Sequence, residues 1–449
     1  MKIIELTETQ FKNYSKLHSS RNYYQTVEYA HSNKGTIYYL GYINENDNTL
    51  MAAVLLLERS LGKIKFGYVP GSFLVDYNND NLFKDFITSL KDYLKKKKYI
   101  YVTTDNISTY KMFDKTGDVV YYDTNIIKLF DELSFKKIGK LPIRNVVLET
   151  EKTPEETFKL FNANTKRNIN LSIRRAINIY KDESNDINPL LDMNNTIKKN
   201  KIINIINNFN DDNVKAEVYY AKINPEQYVN NYRYILKEED KRNDNLNEIM
   251  QNINVKKTDS IINKKMNSDK KITKYQNEII KATGVYTKYP KEVIIGGILI
   301  IKNNREIYFF DEAYNKDLEK FYSSHLIKWE IIKKYLNEGY KIFNLGSIKS
   351  IDKKDGNYTF KMGFGAKVYE YIGTYDLIIN RYLYYFAKFI VKINEMIKRI
   401  TKKWSCKIKV DIKGMCLLFW YNKRRKDKII WKEKEKKIEF GQLKKKKKL

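Results

Sequence analysis

Neither glycine nor proline occurs between Glu226 and Thr283. A run that long has few ways to turn back on itself, so it is not a series of short strands and tight loops. Its apolar residues are sparse: Tyr228, Tyr232, Ile235, Ile249, Met250 and Ile253, then Ile261, Met266, Ile272, Tyr275 and Ile279. Such spacing can pair two helices with each other but cannot bury either against a large core. The run opens on Asn224-Pro-Glu-Gln227, with Asn as N-cap, proline at the first helical position and glutamine at the third. Two antiparallel helices turning near Val255–Ser260 fit these residues. A charged, disordered insertion is the competing reading.

On both sides of this run the chain reads as α/β. Before it, Thr36–Tyr42 and Leu50–Leu57 read as strands around Asn44-Glu-Asn-Asp-Asn48. Leu82, Phe83, Phe86, Ile87, Leu90, Tyr93 and Leu94 follow at helical spacing, then a strand at Tyr99–Thr104. After it, Glu292–Ile301 and Glu306–Glu312 read as a hairpin across Lys302-Asn-Asn-Arg305. Leu318, Phe321, Tyr322, Leu326, Trp329, Ile332, Tyr335 and Leu336 form one helical stripe closed by Gly339, and a strand follows. The order of elements is thus the same twice, without a plain sequence repeat. Two copies of one α/β fold, joined back to back, are expected.

The net charge is +30 over 449 residues, which points to an anionic partner: nucleic acid, a phosphorylated small molecule or an anionic membrane. An AT-rich genome, with its Lys, Asn, Ile and Tyr codons, is the bland explanation for both the lysines and the 37 tyrosines. The charge is uneven, however: Met396–Leu449 holds 21 Lys/Arg against 5 Asp/Glu, more than half of the excess. Leu383, Phe386, Ile390, Ile393, Ile397 and Ile400 line one face of a helix leading into this basic tail. The tail reads equally as a solvated end or as an attachment to anionic lipid or RNA phosphates. Two cysteines and three scattered histidines give no zinc-site spacing. Neither a secretory signal nor a long apolar span is visible, so a cytoplasmic protein is expected.

The chemistry gathers late in the chain. Glu338-Gly-Tyr-Lys-Ile-Phe-Asn-Leu-Gly-Ser347 precedes Asp355-Gly-Asn-Tyr-Thr-Phe-Lys-Met-Gly-Phe-Gly365. The pair reads as a helix C-cap, a short strand and a turn, then a Phe360-Lys361 pair opening another extended segment. A lysine framed by aromatics and glycines suits a cleft in which a charged ligand approaches the backbone. An ordinary surface lysine between strands is the weaker competing reading of Lys361. His325 falls on the apolar stripe and reads as a core or boundary histidine. Neither a Ser/His/Asp or Cys/His set nor a P-loop is present. The acetyl-CoA pyrophosphate signature is absent too: Arg59-Ser-Leu-Gly62 begins it, but Lys-Ile follows.

These late segments, with four earlier ones, resemble the Fem/Mur-type (FemABX) peptidoglycan bridge aminoacyltransferases. The earlier ones are Tyr24-Gln-Thr-Val-Glu-Tyr29 with Lys34 just after, Phe66-Gly-Tyr-Val-Pro-Gly-Ser-Phe-Leu-Val-Asp-Tyr77, Tyr101-Val-Thr-Thr-Asp-Asn106, and the basic stretch Asn164–Ala176. They stand in the family's order over some three quarters of the sequence. Two departures stand out: Gly71 follows the proline where many members have arginine, and lysines (Lys198, Lys199, Lys201) stand where some members place an arginine before the arm. Lysine offers a point charge rather than a bidentate fork.

The resemblance implies the following. The fold is α/β (α+β): two GNAT-like lobes with mixed sheets, interrupted by a helical-hairpin arm. The expected segments are a first lobe at 1–150, a second lobe at 151–225 and 283–379, the arm at 226–282, and an amphipathic helix with basic tail at 380–449. The activity is transfer of an amino acid from aminoacyl-tRNA to the stem-peptide amine of a UDP-linked or lipid-linked peptidoglycan precursor. Lys361 lies at the reaction centre and Phe360 shapes the pocket. Lys34 and Lys198 or Lys199 hold the precursor's diphosphate, and Asp105 lies in the precursor site. No cofactor or metal is expected, because the donor ester is already activated. The alternatives are a GNAT-fold N-acyltransferase with another donor and amine, or a non-catalytic RNA- or membrane-binding protein.

Overall fold

The computed structural model describes residues 1–61, 64–139, 142–194, 198–211, 213–251 and 259–389. Met1–Asn380 form one compact unit, and Arg381–Leu449 a second. Residues 381–389 of the second unit are helical. The rest of the expected amphipathic helix, and the whole basic tail, lie outside the described residues.

A 15-stranded sheet runs through the first unit. β1 (Lys2–Glu5), β2 (Thr36–Ile43), β3 (Leu50–Leu61), β4 (Ile64–Val69) and β5 (Tyr99–Phe113) lie side by side. β6 (Val119–Tyr122) pairs with β5, and β7 (Phe135–Lys137) and β8 (Ile143–Glu149) follow. The second half holds β9 (Ile177–Asp182), β10 (Asn210–Asp211), β11 (Val214–Ile223), β12 (Val293–Asn303), β13 (Glu306–Tyr314), β14 (Ile342–Ile348) and β15 (Lys367–Ile378).

The two halves repeat one plan, each with the strand order of a GNAT-like lobe. In the first, β2, β3 and β4 are antiparallel neighbours, the helix Asp80–Lys96 crosses over, and β5 returns parallel to β4. In the second, β11, β12 and β13 are antiparallel, the helix Ser323–Asn337 crosses over, and β14 returns parallel to β13. Each crossover helix buries much of the stripe read from sequence: Phe83, Phe86, Ile87, Leu90 and Leu94 in one, and Leu326, Trp329, Ile332 and Tyr335 in the other.

The join is edge to edge, and it is made by exchange. β15, from the end of the second half, lies against β5 of the first. β8, from the end of the first half, lies against β14 of the second. β15 and β8 then pair with each other at the middle of the sheet. Strand β5 also runs well past the expected end at Thr104, because β15 supplies a partner along its length as far as Phe113.

The arm is a pair of long helices, Pro225–Gln251 and Asp259–Lys288. Most of the expected turn lies outside the described residues. Asn224 caps the first helix, its Oδ1 accepting from the Gln227 amide at 2.9 Å. Polar contacts join the two helices: Ser268 donates to Glu239 at 2.8 Å, and Asn243 to Asp269 at 2.8 Å. The expectation that neither helix is buried against a large core fails at the root, where Tyr228, Tyr232 and Ala282 join the main core; beyond it, the polar contacts let few apolar residues suffice. The stripe from Leu318 onward is two helices, not one. A 3₁₀ segment, Lys316–Phe321, ends at Tyr322, whose left-handed backbone (φ 59°) breaks the run before Ser323.

Tyrosine is used systematically. Tyr99 bonds Glu58 at 2.5 Å, Tyr68 bonds Asp105 at 2.7 Å, Tyr369 bonds Glu149 at 2.7 Å, and Tyr335 bonds buried Glu217. Phenols thus share these carboxylates with lysines: Lys65 also meets Glu58 at 3.0 Å, and Lys181 lies 3.8 Å from Glu217.

Candidate active site

Phe360 and Lys361 do not open an extended segment. They lie in a short helix, Gly356–Met362, whose N-cap Asp355 accepts from the amides of Asn357 and Tyr358 at 2.8 and 3.2 Å. Asp-Gly reads as a turn in sequence, and here that turn starts a helix. Only some of the surrounding glycines face the lysine. A β-carbon at Gly363 would lie 2.3 Å from Thr165 Oγ1, so this glycine lets the short helix press against the helix Ala163–Arg174. Gly365 takes φ +72° against the Leu160 backbone. Gly346, with φ +85°, does face the lysine: a β-carbon there would lie 3.4 Å from Lys361 Nζ and 3.2 Å from the Phe309 carbonyl.

The Lys361 side chain is 7 % exposed, and its amine donates to the Ser347 carbonyl at 2.9 Å. It reaches the place where β13 and β14 stop pairing, just past Tyr308↔Asn344. Two cavities meet the surroundings of this lysine. The first, about 560 Å³, takes its walls from both halves: Tyr24, Ser72 and Ile107 on one side, Glu306, Asn344 and Ser347 on the other. The second, about 670 Å³, is lined by Glu312, Tyr314, Tyr322, Ser323, His325 and Phe360. Lys361 thus bonds a residue of the first cavity, while its neighbour Phe360 walls the second.

Behind Phe360 lies a second lysine that sequence reasoning missed. Lys328 is 1 % exposed and pairs with Glu312. Its amine stands 4.8 Å from the Phe360 ring centroid and 5.9 Å from that of Phe309. Burial drives the Glu312 carboxyl up, but Lys328 outweighs this and holds it below the usual carboxylate value. Burial, then the charge of Lys328, lowers Lys361 to about 8. His325, one helical turn before Lys328, is lowered to about 4 by burial and by Lys328, so it is neutral near pH 7. Its Nε2 lies 3.3 Å from Asn168 Nδ2, and its ring meets Phe360 edge-on at 4.7 Å. The sequence carried only part of the signal: His325 and Lys328 stand one turn apart on a helix with apolar neighbours, but their partner Glu312 comes from a strand.

The other expected residues are dispersed around this centre. Asp105 accepts from Tyr68 and from Thr374, each at 2.7 Å, which joins β4, β5 and β15. Lys34 is exposed just after the helix Val27–His31, and Lys199 is exposed at the start of the helix Lys199–Asn208. These two helices pack on each other, so the two lysines stand on neighbouring elements. Neither lines the two cavities. Nearby, Lys201 stacks over Phe310 at 4.7 Å.

Replacing Gly363 with Ala should force the short helix off Thr165. We expect a loss of about 1–3 kcal/mol, as for other overpacked contacts, together with slower turnover. Thermal melts and rates measured side by side check this; a variant unchanged in both would mean that the contact yields freely.

A family model described as the FemAB family matches residues 6–392 of the chain. The chain is 23 % identical to an aminoacyltransferase FemA of Staphylococcus epidermidis, over 88 % of this chain and all of that one. It is 22 % identical to a lipid II:glycine glycyltransferase of Staphylococcus haemolyticus, over 92 % of this chain and all of that one. Among solved structures, a crystal structure of FemX superposes with a TM-score of 0.66 at 18 % identity, covering 86 % of this chain and 99 % of that one.

Proposed function

The chain belongs to the FemAB family, and from that premise we propose that it transfers an amino acid from aminoacyl-tRNA to the stem-peptide amine of a peptidoglycan precursor. Its relatives are aminoacyltransferases, and one is a lipid II:glycine glycyltransferase. The observation that carries the reading is the setting of Lys361: a buried amine that bonds Ser347 of one cavity and adjoins Phe360 of the other, at the parting of two parallel strands. A reaction that joins two large anionic substrates needs two approaches to one cation.

In this reading the stem-peptide amine enters through the cavity shared by both halves, and the aminoacyl end of the donor enters beside Phe360. The donor ester is already activated, so the chemistry asks for orientation and for stabilisation of a tetrahedral oxyanion, which a buried ammonium provides. Lys34 and Lys199 attract the precursor's diphosphate, and Asp105 belongs to the precursor side. The arm, with Arg242, Lys264, Lys270, Lys271 and Lys274 around one groove, is offered to tRNA phosphates. We place the protein in the cytoplasm. Tyr382, Leu383, Tyr385, Phe386 and Phe389, exposed at the start of the second unit, suit attachment to an anionic membrane bearing a lipid-linked acceptor. Among the described residues no helix is long and apolar enough to cross a membrane.

The test is incubation with charged tRNAs and with soluble or lipid-linked precursor, followed by mass spectrometry of the precursor. The expected product is heavier by one aminoacyl residue. Acetyl-CoA should give no calorimetric signal, because the pyrophosphate loop is absent from the sequence. Clear acetyl-CoA binding, with no transfer from any charged tRNA, would move the reading to an N-acyltransferase with a different donor.

A further inference from the structure

We propose that Lys361 carries the proton of the transfer reaction, and that Lys328 is the positioning residue that enables it, by keeping Glu312 for itself. The proposal rests on the aminoacyl-transfer reading above.

Two buried lysines stand near one carboxylate, and the carboxylate bonds Lys328. Lys361 is left with one neutral acceptor, the Ser347 carbonyl, which an amine can satisfy whether protonated or not. The charged and titratable groups facing it are few. Lys328 and His325 come from the helix Ser323–Asn337, Glu312 from β13, and Asp355 from the cap of its own helix. Asp355 already accepts from two amides of that cap, and His325 is neutral. Burial and Lys328 therefore prevail, and Lys361 loses its proton at about 8 rather than near its ordinary 10.5. Had Glu312 paired with Lys361 instead, the amine would be a permanent cation.

The steps balance. The acceptor amine arrives neutral, having given its first proton to water, and attacks the ester carbonyl. As the C–N bond forms, the amine nitrogen passes a proton to neutral Lys361 Nζ. The resulting ammonium then stands beside the tetrahedral oxyanion. When the C–O bond to the ribose breaks, Lys361 returns the proton to the leaving oxygen and ends neutral. One side chain thus supplies both the base and, a moment later, the positive charge.

The test is a pH–rate profile at saturating substrates for the wild type and Lys328→Met. Removing Lys328 frees Glu312 for Lys361, so the rising limb should move up by about one unit or more. The rate should then fall about tenfold near neutral pH and recover in more alkaline buffer. An equal loss at every pH, with the limb unmoved, would reduce Lys328 to packing and overturn the proposal. Because the single change strands a carboxylate, the double variant Lys328→Met/Glu312→Gln is measured beside it. Its limb should lie between those of the wild type and the single variant, because the pair together lowers Lys361 only by the surplus of Lys328 over Glu312; an upward shift as large as in the single variant would also overturn the proposal. Carbon-13 NMR of labelled lysine, with the Lys361 signal identified by its loss in Lys361→Arg, reads the titration without any donor. A midpoint near 8 supports the shuttle, and one near the ordinary lysine value overturns it. A midpoint near 8 in a protein that uses no charged tRNA would sink the transfer reading, and the shuttle with it, on grounds separate from the titration.

Discussion

Replacing Lys361 with Met should slow aminoacyl transfer by about 10²–10³-fold, the usual cost of losing one stabiliser of a developing oxyanion. The variant should still fold. Methionine fills much of the same space, and what it removes is an amine buried at 7 % exposure with one hydrogen bond. The pH dependence of stability gives a second readout. The folded state lowers Lys361 from 10.5 to about 8, so it binds this proton more weakly than the unfolded chain does. The resulting penalty is fully present below about 8 and is relieved as the pH rises from there toward 10.5. Wild type should therefore gain stability over the Met variant across that window, by denaturant titration at several pH values. Near-normal turnover in the variant would remove Lys361 from the reaction centre.

Replacing Arg175 with Met should have the largest effect on the fold, roughly 3 kcal/mol, typical of removing one partner of a buried ion pair. Arg175 is 8 % exposed at the root of the arm, and its guanidinium meets the Glu278 carboxylate at 3.1–3.3 Å. It also donates to the Lys320 carbonyl at 2.6 Å and lies 5.0 Å from the Phe321 ring centroid. Tyr228 donates to the same carboxylate from the other arm helix at 2.9 Å. Burial pushes Glu278 up, yet Arg175 first, with Lys281, Tyr228 and further hydrogen bonds from Arg175, brings it below its ordinary 4.5. A depressed carboxyl contributes stability that is present above its unfolded value and lost as the pH falls through the folded one. The gap between wild type and variant should therefore narrow in acid below about 4.5. An equal gap at all pH values would mean that Arg175 acts by packing on Phe321 alone. Adding Glu278→Gln to the variant should recover part of the loss, since no buried charge then stays unpaired.

Local patterns in the sequence were reliable guides wherever the structure is locally determined. The strand read at Thr36–Tyr42, the apolar stripe of Asp80–Lys96 and the Asn224-Pro cap each depend on neighbours a few residues away, and each appears in the fold. Phe360 and Lys361 were singled out by their aromatic and glycine frame and given roles by resemblance, but their helix was not read, because seven residues behind an Asp-Gly give too little periodicity. His325 was read as a core or boundary histidine, without a role in the site. It is half-buried, and its meaning depends on Phe360 and Lys328, which come from a different element and a different turn. The Lys328–Glu312 pair could not be foreseen because it joins a helix to a strand, and in a lysine-rich chain one more lysine carries little information. The exchange of β8 and β15 leaves no mark on either strand, since an antiparallel partner looks the same in sequence whichever half supplies it.

That exchange bears on how the chain is made. When the ribosome has finished β5, the edge that β15 will cover is bare, and it stays bare until Ile378 has emerged. At about 5–20 residues per second, the synthesis of the intervening chain takes tens of seconds. Through that time a long strand edge is open to pairing with other chains. A gene cut before the codon for Lys367 would leave the first half with that edge uncovered for good, so separately expressed halves should aggregate unless they are produced together.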